Sequence, residues 1–194
     1  MSDKKLLNIN IINFFYKKEA YRSLSNFWKC IIQIEDIDEV RIYDSGESCF
    51  QGEKFIRLGK ICKNIDRKKE LLEYGSKFFK SVCEKEGGLI KKMGRKLKLD
   101  NDELKLWHDI SIEVQNTICI YKYENYKEVQ DDLIKSEKNI LIHPAMRCNI
   151  AKVKEKLWEG MAIIMDGKLE ILGRNMLGNI WMNIRDRNRD VISK

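Results

Sequence analysis

The sequence predicts a mainly α (α+β) fold, in which a compact helical domain carries short β-hairpins. Three observations lead to this class. Several long segments place apolar side chains on one face at helical spacing. Two pairs of short apolar runs flank turn residues, as the strands of hairpins do. Proline, which interrupts helices, occurs once in 194 residues.

The strands are expected to be short. Residues 8–11 alternate polar and apolar side chains, which is typical of a half-buried strand, and residues 139–142 form another apolar run. Residues 31–34 and 40–43 flank acidic turn material and predict a hairpin. The clearest local pattern is a second hairpin over residues 161–172, because its apolar runs flank an Asp-Gly dipeptide, which is typical of type I′ turns.

The helices follow from apolar periodicity and from capping residues. The first begins near Asp44 or Ser45. Gly87-Gly88 is expected to end the second, and Asp100 or Asn101 caps the third. The helices after the first are predicted over residues 66–86, 102–123, about 126–134 and about 177–184.

Length and composition predict one soluble domain over residues 1–194. Hydrophobic residues make up 43% and charged residues 35%, and no run approaches the ~18 apolar residues that a membrane span needs. The N-terminus has no small-residue cleavage site, so we expect an intracellular, cytoplasmic protein without a membrane partner. The net charge of +7 indicates an anionic partner, either a nucleotide phosphate or a nucleic acid.

The metal-ligating residue types predict neither a metal site nor a cofactor. Six cysteines are scattered without a C-x-x-C pair, and only two histidines are present. Reduced thiols are the simple interpretation. Cys49 lies near Glu47 and is either a nucleophile or a buried packing residue, and no histidine is near it in sequence.

The first helix carries the most informative residues. Glu47, Gln51 and Lys54 follow at i, i+4 and i+7, so a carboxylate, an amide and an ammonium share one face. Phe50 lies on the same stripe, which should therefore face inward, where polar groups need partners or a chemical role. The helix dipole favours an ionised Glu47, which suits a base, a nucleophile or a stabiliser of developing positive charge. Alternatively, Glu47 only complements the dipole.

Further candidate ligand contacts lie later in the chain. Arg95 belongs to a dense basic run and is either a bidentate phosphate ligand or a surface residue. Arg174 and Asn175 begin the last helix, where backbone N–H groups favour an anion and Asn175 is a suitable cap. Glu155 and Trp158 would share a helix face, where a carboxylate beside an indole can hold and stack a planar base.

Several short motifs follow one another in a defined order. They are Leu24-Ser25-Asn26-Phe27, Glu47-x-x-Phe50-Gln51-x-x-Lys54-Phe55, Gly94-Arg95, Trp107, Lys122-Tyr123-x-Asn125, Leu141-Ile142, Glu155-x-x-Trp158 and Gly173-x-Asn175-x-Leu177-Gly178-x-x-x-Met182-x-x-Arg185. In this order and spacing they resemble the YbiA-like, or NADAR, family, from about residue 11 to residue 187.

This resemblance implies a compact, mostly helical fold and N-glycosidase activity, the hydrolysis of a C–N bond between a ribose and a base or amine. It associates the chain with phosphorylated ribosyl intermediates of the riboflavin pathway, or with ADP-ribose attached to guanine. The expected partner is therefore a small phosphorylated ribosyl or ADP-ribosyl substrate, or ADP-ribosylated nucleic acid. The alternative function is a non-catalytic module that binds ADP-ribose or a nucleotide.

The resemblance also implies roles for single residues. Glu47 matches the family's active-site glutamate, Trp107 matches its tryptophan, and Glu155 falls where the family usually has aspartate, so these three are the expected catalytic residues. Lys54 either pairs with Glu47 or acts on the ribose. Substrate contacts are expected from Asn26, Gln51, Lys54, Arg95, Trp158, Arg174 and Asn175.

The chain departs from the family pattern at several positions. Ser48 stands where the family often has histidine, and Glu159 follows Trp158 where the family has glycine. The stretch between Ile142 and Trp158 is also longer than usual. These differences bear on the choice of substrate more than on the class of reaction.

Overall fold

The computed structural model describes residues 10–15, 17–37, 39–146 and 148–188. Within these ranges the chain forms seven α-helices and three two-stranded sheets, which confirms the predicted mainly helical fold with short strand pairs. The helices are α1 (Gly46–Ile61), α2 (Ile65–Ser76), α3 (Gly87–Met93), α4 (Asn101–Asn125), α5 (Lys127–Lys135), α6 (Ile150–Lys154) and α7 (Met176–Arg187). The strands are β1 (Ile11–Asn13), β2 (Lys29–Glu35), β3 (Val40–Ser45), β4 (Ile140–Ile142), β5 (Met161–Met165) and β6 (Lys168–Leu172). None of these helices combines the length and apolarity that a membrane span needs.

Each sheet is a single pair of strands. β1 runs parallel to β4, and residues 8 and 9 of the predicted first strand lie outside the described residues. β2 and β3 are antiparallel and place Ile32 opposite Tyr43. The β5–β6 hairpin turns through Asp166 and Gly167, whose φ angles of 48° and 72° are the left-handed pair that the predicted type I′ turn requires.

The prediction for the second helix is wrong over its C-terminal half. α2 ends at Ser76 rather than near residue 86, and Gly87 begins α3 instead of ending α2. Beyond Ser76 a tertiary hydrogen bond takes up a backbone carbonyl, because the Ser48 hydroxyl of α1 donates to the carbonyl of Phe78 at 2.8 Å. The apolar pattern of the segment contains no information about that partner.

Two buried hydrophobic clusters share helix α4. The first lies around α1, α2 and the β2–β3 pair and includes Val114 and Ile118 of α4. The second contains residues of α4, α5, α7 and β4 and includes Cys119. Trp28 and Trp158 pack against both clusters, so they lie where the two meet.

Helix α1 is buried over most of its surface, with twelve of its 16 residues buried. Its Glu53 is fully enclosed and accepts hydrogen bonds from Arg41 Nε at 2.7 Å, the Tyr43 hydroxyl at 2.8 Å and Arg57 Nε at 3.1 Å. A buried carboxylate is tolerated when its charge is paired and its oxygens are hydrogen-bonded. These bonds join α1 to β3 in one orientation.

A second buried charge holds the loop before β2. Lys122 of α4 is fully buried, and its Nζ donates to the carbonyls of Ser23 at 2.5 Å and Ser25 at 3.0 Å. The ammonium also lies over the rings of Trp28 and Trp181, at 5.5 and 5.4 Å. Burial lowers the pKa of Lys122. The lysine thereby bonds the Ser23 carbonyl and gives the Ser25 carbonyl a second donor besides the N–H of Trp28.

We expect the Glu53→Gln variant to be less stable by about 3–5 kcal/mol, because it leaves the Arg41 guanidinium buried beside a neutral amide. Urea unfolding followed by circular dichroism measures this difference. The control is Glu73→Gln, which removes an exposed ion pair with Lys69 at 3.8 Å and should change stability by less than about 0.5 kcal/mol. Equal losses in the two variants would contradict the structural role given to Glu53.

Candidate active site

A cavity of about 400 Å³ opens beside the N-terminal half of α1. Both hydrophobic clusters contribute to it, the first through Phe50 and the second through Leu177. The other lining residues are Phe15, Ser25, Asn26, Phe27, Glu47, Gln51, Lys54, Lys91, Arg95, Gln115, His143, Pro144, Met146, Trp158 and Glu159. Its volume lies within the usual range of sites for small ligands.

The polar stripe of α1 forms one wall of the cavity. Gln51 Nε2 donates to Glu47 Oε1 at 3.0 Å, and Lys54 Nζ donates to Gln51 Oε1 at 2.9 Å. Lys54 also donates to the carbonyl of Gly94 at 2.5 Å. The structure therefore brings together the three residues that the helical spacing placed on one face. Lys54 pairs with Glu47 only indirectly, because the Gln51 amide lies between the two side chains and bonds both.

Glu47 is almost completely buried at the cavity wall. Burial raises the pKa of its carboxyl above the usual range, while the charge of Lys91 and the hydrogen bond from Gln51 oppose that rise. The expectation that the helix dipole holds Glu47 ionised thus omitted a larger, opposite effect, because the sequence does not report desolvation. A raised pKa makes the ionised carboxylate a stronger base.

Three cations face the same space. Burial lowers the pKa of Lys54 to about 8, and the nearby charge of Arg95 acts in the same direction. Lys91 extends from α3 and pairs with Glu159 at 3.9 Å. Arg95 follows α3 and lines the cavity while remaining exposed. The basic run is therefore partly helical and contributes two of its side chains to the cavity.

Aromatic rings pack around Phe50, which lines the cavity. Phe50 lies between two indoles, with ring centroids 5.0 Å from Trp107 and 5.3 Å from Trp158, both edge to face. Trp158 lines the cavity, whereas Trp107 does not. The expected catalytic Trp107 is therefore placed as a support for Phe50, and its larger distance from the cavity reflects its position on the core face of α4.

Asn26 reaches the cavity from the loop before β2. Its amide exchanges hydrogen bonds with Gln115 of α4, at 2.7 and 3.0 Å. Its carbonyl accepts from the backbone N–H of Glu47 at 2.8 Å. Two elements therefore fix Asn26, and the Lys122 contacts described above hold the residues just before it. Gln115 was not predicted, although a glutamine on the apolar face of a long helix is a usable signal.

Two further polar residues of the cavity lining were not among the predicted site residues. His143 and Glu159 line the cavity, and Glu159 pairs with Lys91. Burial lowers the pKa of His143 to about 4, although the charge of Glu159 opposes the shift. Glu159 stands where the resemblance leads us to expect glycine, and His143 directly follows the strand β4. These two positions in the sequence were the signals that could have identified Glu159 and His143 as site residues.

Besides Trp107, three predicted site residues lie outside the cavity lining. Helix α6 ends at Lys154, so Glu155 and Trp158 do not share a helix face, and Glu155 is exposed. Arg174 is likewise exposed. Asn175 is buried but fully used, because its amide donates to the Leu141 carbonyl at 2.8 Å and accepts from the N–H of His143 at 3.0 Å.

Asn175 also makes no side-chain capping bond to α7, contrary to the predicted cap. Its backbone is left-handed, with φ 45°, which is not the extended conformation of a capping residue. The tertiary bonds to β4 and to the residue after it occupy the amide instead. The predicted anion site at this helix start therefore has neither its cap nor its arginine in the cavity.

Neither Cys49 nor a metal-binding cluster adds a reactive group to the described part of the site. Burial raises the pKa of the Cys49 thiol well above its usual value, which keeps it protonated and favours the interpretation as a packing residue. Among the residues that the structure describes, no three His, Cys, Asp or Glu side chains group closely enough to hold a metal ion.

Comparison with known proteins identifies the fold and the family of the chain. The chain is similar to the E. coli protein YbiA, solved by NMR, with a TM-score of 0.55 and 19% sequence identity over 93% of this chain and 86% of that one. At this identity the likeness establishes the fold alone. The NADAR domain family matches residues 14–189, and the chain therefore belongs to the NADAR family. No curated protein matches the chain.

Gly94→Ala should disturb the Gln51 bridge without breaking α3. A Cβ at this position would lie 2.1 Å from Gln51 Oε1, while the φ of −61° accepts alanine. Displacing the amide removes a hydrogen bond worth about 1 kcal/mol, so the pKa of Glu47 should rise further. Carbon-13 NMR titration of the glutamate carboxyls measures the pKa of Glu47. In the control, Gly88→Ala, no atom lies within 4 Å of the new Cβ, and an unchanged Glu47 pKa in both variants would exclude the bridge.

Proposed function

We propose that this NADAR domain is an N-glycosidase, which hydrolyses the C–N bond between a phosphorylated ribose, or ADP-ribose, and a base or amine. The observation that carries the proposal is the Glu47 carboxyl, buried in a ligand-sized cavity and faced by three cations. Family membership supports the same reaction class. A hydrolase of this kind needs a base or a cation stabiliser beside the anomeric carbon.

Glu47 would act as the general base. Cleavage passes through an oxocarbenium-like ribose, as glycoside hydrolysis does. The oxygen of a water bonds to the anomeric carbon while its proton passes to Glu47, and the electron pair of the C–N bond leaves with the nucleobase or amine, whose nitrogen then takes up that proton. A negative carboxylate also stabilises the positive charge that develops on the ribose. The raised pKa of Glu47 makes proton transfer from water more favourable.

The cations would hold the phosphate. Arg95 and Lys54 both line the cavity near α1, and an arginine can grip phosphate through two parallel N–H bonds. Asn26 is positioned to bond a ribose hydroxyl, and Trp158 offers a ring on which a planar base can stack. Arg174 has no part in this arrangement, because it lies outside the cavity lining.

A substrate attached to nucleic acid is part of the proposal. Lys92 and Lys96 are exposed beside the two cavity-lining cations of the basic run. Exposed lysines around a cavity attract a polyanion in a salt-dependent way. ADP-ribosylated DNA therefore belongs among the substrates tested.

The alternative function is a module that binds ADP-ribose or a nucleotide without cleaving it. The same cavity and the same cations would serve it. Turnover, and not affinity, separates the two functions.

Glu47→Gln should lower turnover by about 100-fold or more, because it removes the base, while ligand affinity changes little. The purified protein is incubated with ADP-ribosyl-guanine DNA, NAD, ADP-ribose and the phosphorylated ribosylamino-pyrimidine of the riboflavin route. Mass spectrometry detects the released base or amine. Glu170→Gln, on the exposed face of β6, is the control and should retain turnover. Binding without release by the unmodified protein would support the binding module instead.

The affinity for ribose 5-phosphate should fall as the pH rises through about 8, because Lys54 then loses its charge in the folded protein. The phosphate itself remains a dianion over this range, since its second pKa is about 6. Isothermal titration calorimetry between about pH 7 and 9.5 should give a decrease on the order of tenfold, which equals about 1.4 kcal/mol.

Two variants test whether Lys54 is the titrating group. Lys54→Met should bind weakly at every pH and lack the step near pH 8. Lys168→Met, in the exposed hairpin, should keep the step. A step that survives in Lys54→Met would assign it to another group.

A further inference from the structure

We propose that Glu159 determines leaving-group specificity, by accepting hydrogen bonds from adjacent N–H groups on the edge of the base. The inference rests on the proposed glycosidase function and adds to it the recognition of the part of the substrate that departs. The chemical class is a nitrogenous base that presents two neighbouring donors, as a 2-amino-4-oxopyrimidine edge does.

The backbone fixes Glu159 at the cavity. Pro144 and Gly160 form a parallel β-bridge, in which the N–H of Gly160 donates to the His143 carbonyl at 2.8 Å. The Glu159 carbonyl accepts from the N–H of Asn175 at 3.1 Å. Both bonds belong to the peptide unit that joins Glu159 to Gly160, so they fix the backbone on the C-terminal side of the Glu159 Cα, and the side chain lines the cavity together with His143.

The Glu159 carboxylate has unused acceptor capacity. Its side chain is only 19% exposed, yet its charged partner, Lys91 Nζ, lies at 3.9 Å, which is beyond hydrogen-bond distance. No hydrogen bond to its carboxylate oxygens occurs among the described residues of the chain. An ionised carboxylate offers about four lone-pair sites, and the half-buried Glu159 side chain presents them at the cavity wall. A ligand with N–H donors would bond these oxygens.

His143 does not use the hydrogen-bond acceptor sites of the Glu159 carboxylate. Its imidazole is neutral near pH 7, so it does not neutralise Glu159 as a cation would. Its Nδ1 is buried without a partner. The cavity lining therefore contains a carboxylate whose ion pair with Lys91 is long and an imidazole with an unsatisfied nitrogen, and both can bond a ligand.

Charge decides which end of the substrate Glu159 faces. The phosphate is drawn to Lys54 and Arg95, whereas near Glu159 the carboxylate offsets the charge of Lys91, so the anionic end lies toward α1 and the C-terminal end of α3. Trp158, the residue before Glu159, supplies a ring on which the base can stack. A carboxylate that accepts from base N–H groups discriminates strongly against a base that lacks them, because its oxygens are then left unpaired.

Binding of two fragments tests the proposal without requiring catalysis. The probes are 2-amino-4-oxopyrimidine and 4-oxopyrimidine, which differ in one amino group. Ligand-observed NMR titration should show that the unmodified protein prefers the amino compound by about tenfold or more. In Glu159→Gln, which replaces one acceptor with a donor, the preference should fall to about twofold or less. The control Glu170→Gln should keep the full preference.

Two further readouts separate specificity from structure and from turnover. Thermal unfolding establishes that Glu159→Gln is folded, and its affinity for ribose 5-phosphate should be retained or increased, because the variant removes a carboxylate from the cavity. A loss of ribose 5-phosphate binding with the fragment preference retained would mean that Glu159 contacts the sugar, and it would overturn the proposal. Equal or undetectable binding of both fragments by the unmodified protein would overturn it as well.

The proposed glycosidase function can fail separately. If no substrate is cleaved but the fragment preference depends on Glu159, the base-reading role stands in a binding module. If cleavage depends on Glu47 but the fragments are not distinguished, the reaction class stands and the role of Glu159 falls.

Discussion

The structure depends on the burial of α1, a helix that carries charged and polar side chains into the interior. Every such group needs a partner, because an unpaired charge or amide loses its hydration on burial. Glu53 obtains its partners from β3 and from its own helix, and Ser48 bonds the chain just beyond α2. These requirements define where β3 and the end of α2 lie against α1.

The cavity wall follows from the same requirement. Glu47, Gln51 and Lys54 satisfy one another in a chain that ends at the carbonyl of Gly94, so α3 is drawn against α1. This series of hydrogen bonds stops at Glu47, because one side of the Glu47 carboxyl faces the cavity. A carboxylate that is fully paired would be inert, whereas this one keeps a face for a ligand.

The motif residues form two groups, one that lines the cavity and one that stabilises the fold. Asn26, Glu47, Gln51, Lys54 and Arg95 meet at the cavity. Other motif residues hold the frame. Lys122 binds the carbonyls before Asn26, and Arg185 of α7 donates to the Ser136 hydroxyl at 3.0 Å and the Asn139 carbonyl at 2.8 Å. A shared motif residue is therefore not by itself evidence of substrate contact.

The local pattern of the sequence determined the helices, the hairpins and the polar stripe of α1, because helical spacing and turn chemistry act between near neighbours. It did not reveal that α2 stops at Ser76, or that Glu155 lies outside the cavity and Glu159 inside it. Those outcomes depend on hydrogen bonds between residues distant in sequence, such as Ser48 to Phe78 and Gly160 to His143. The raised pKa of Glu47 belongs to the same class, since desolvation is a property of the folded interior.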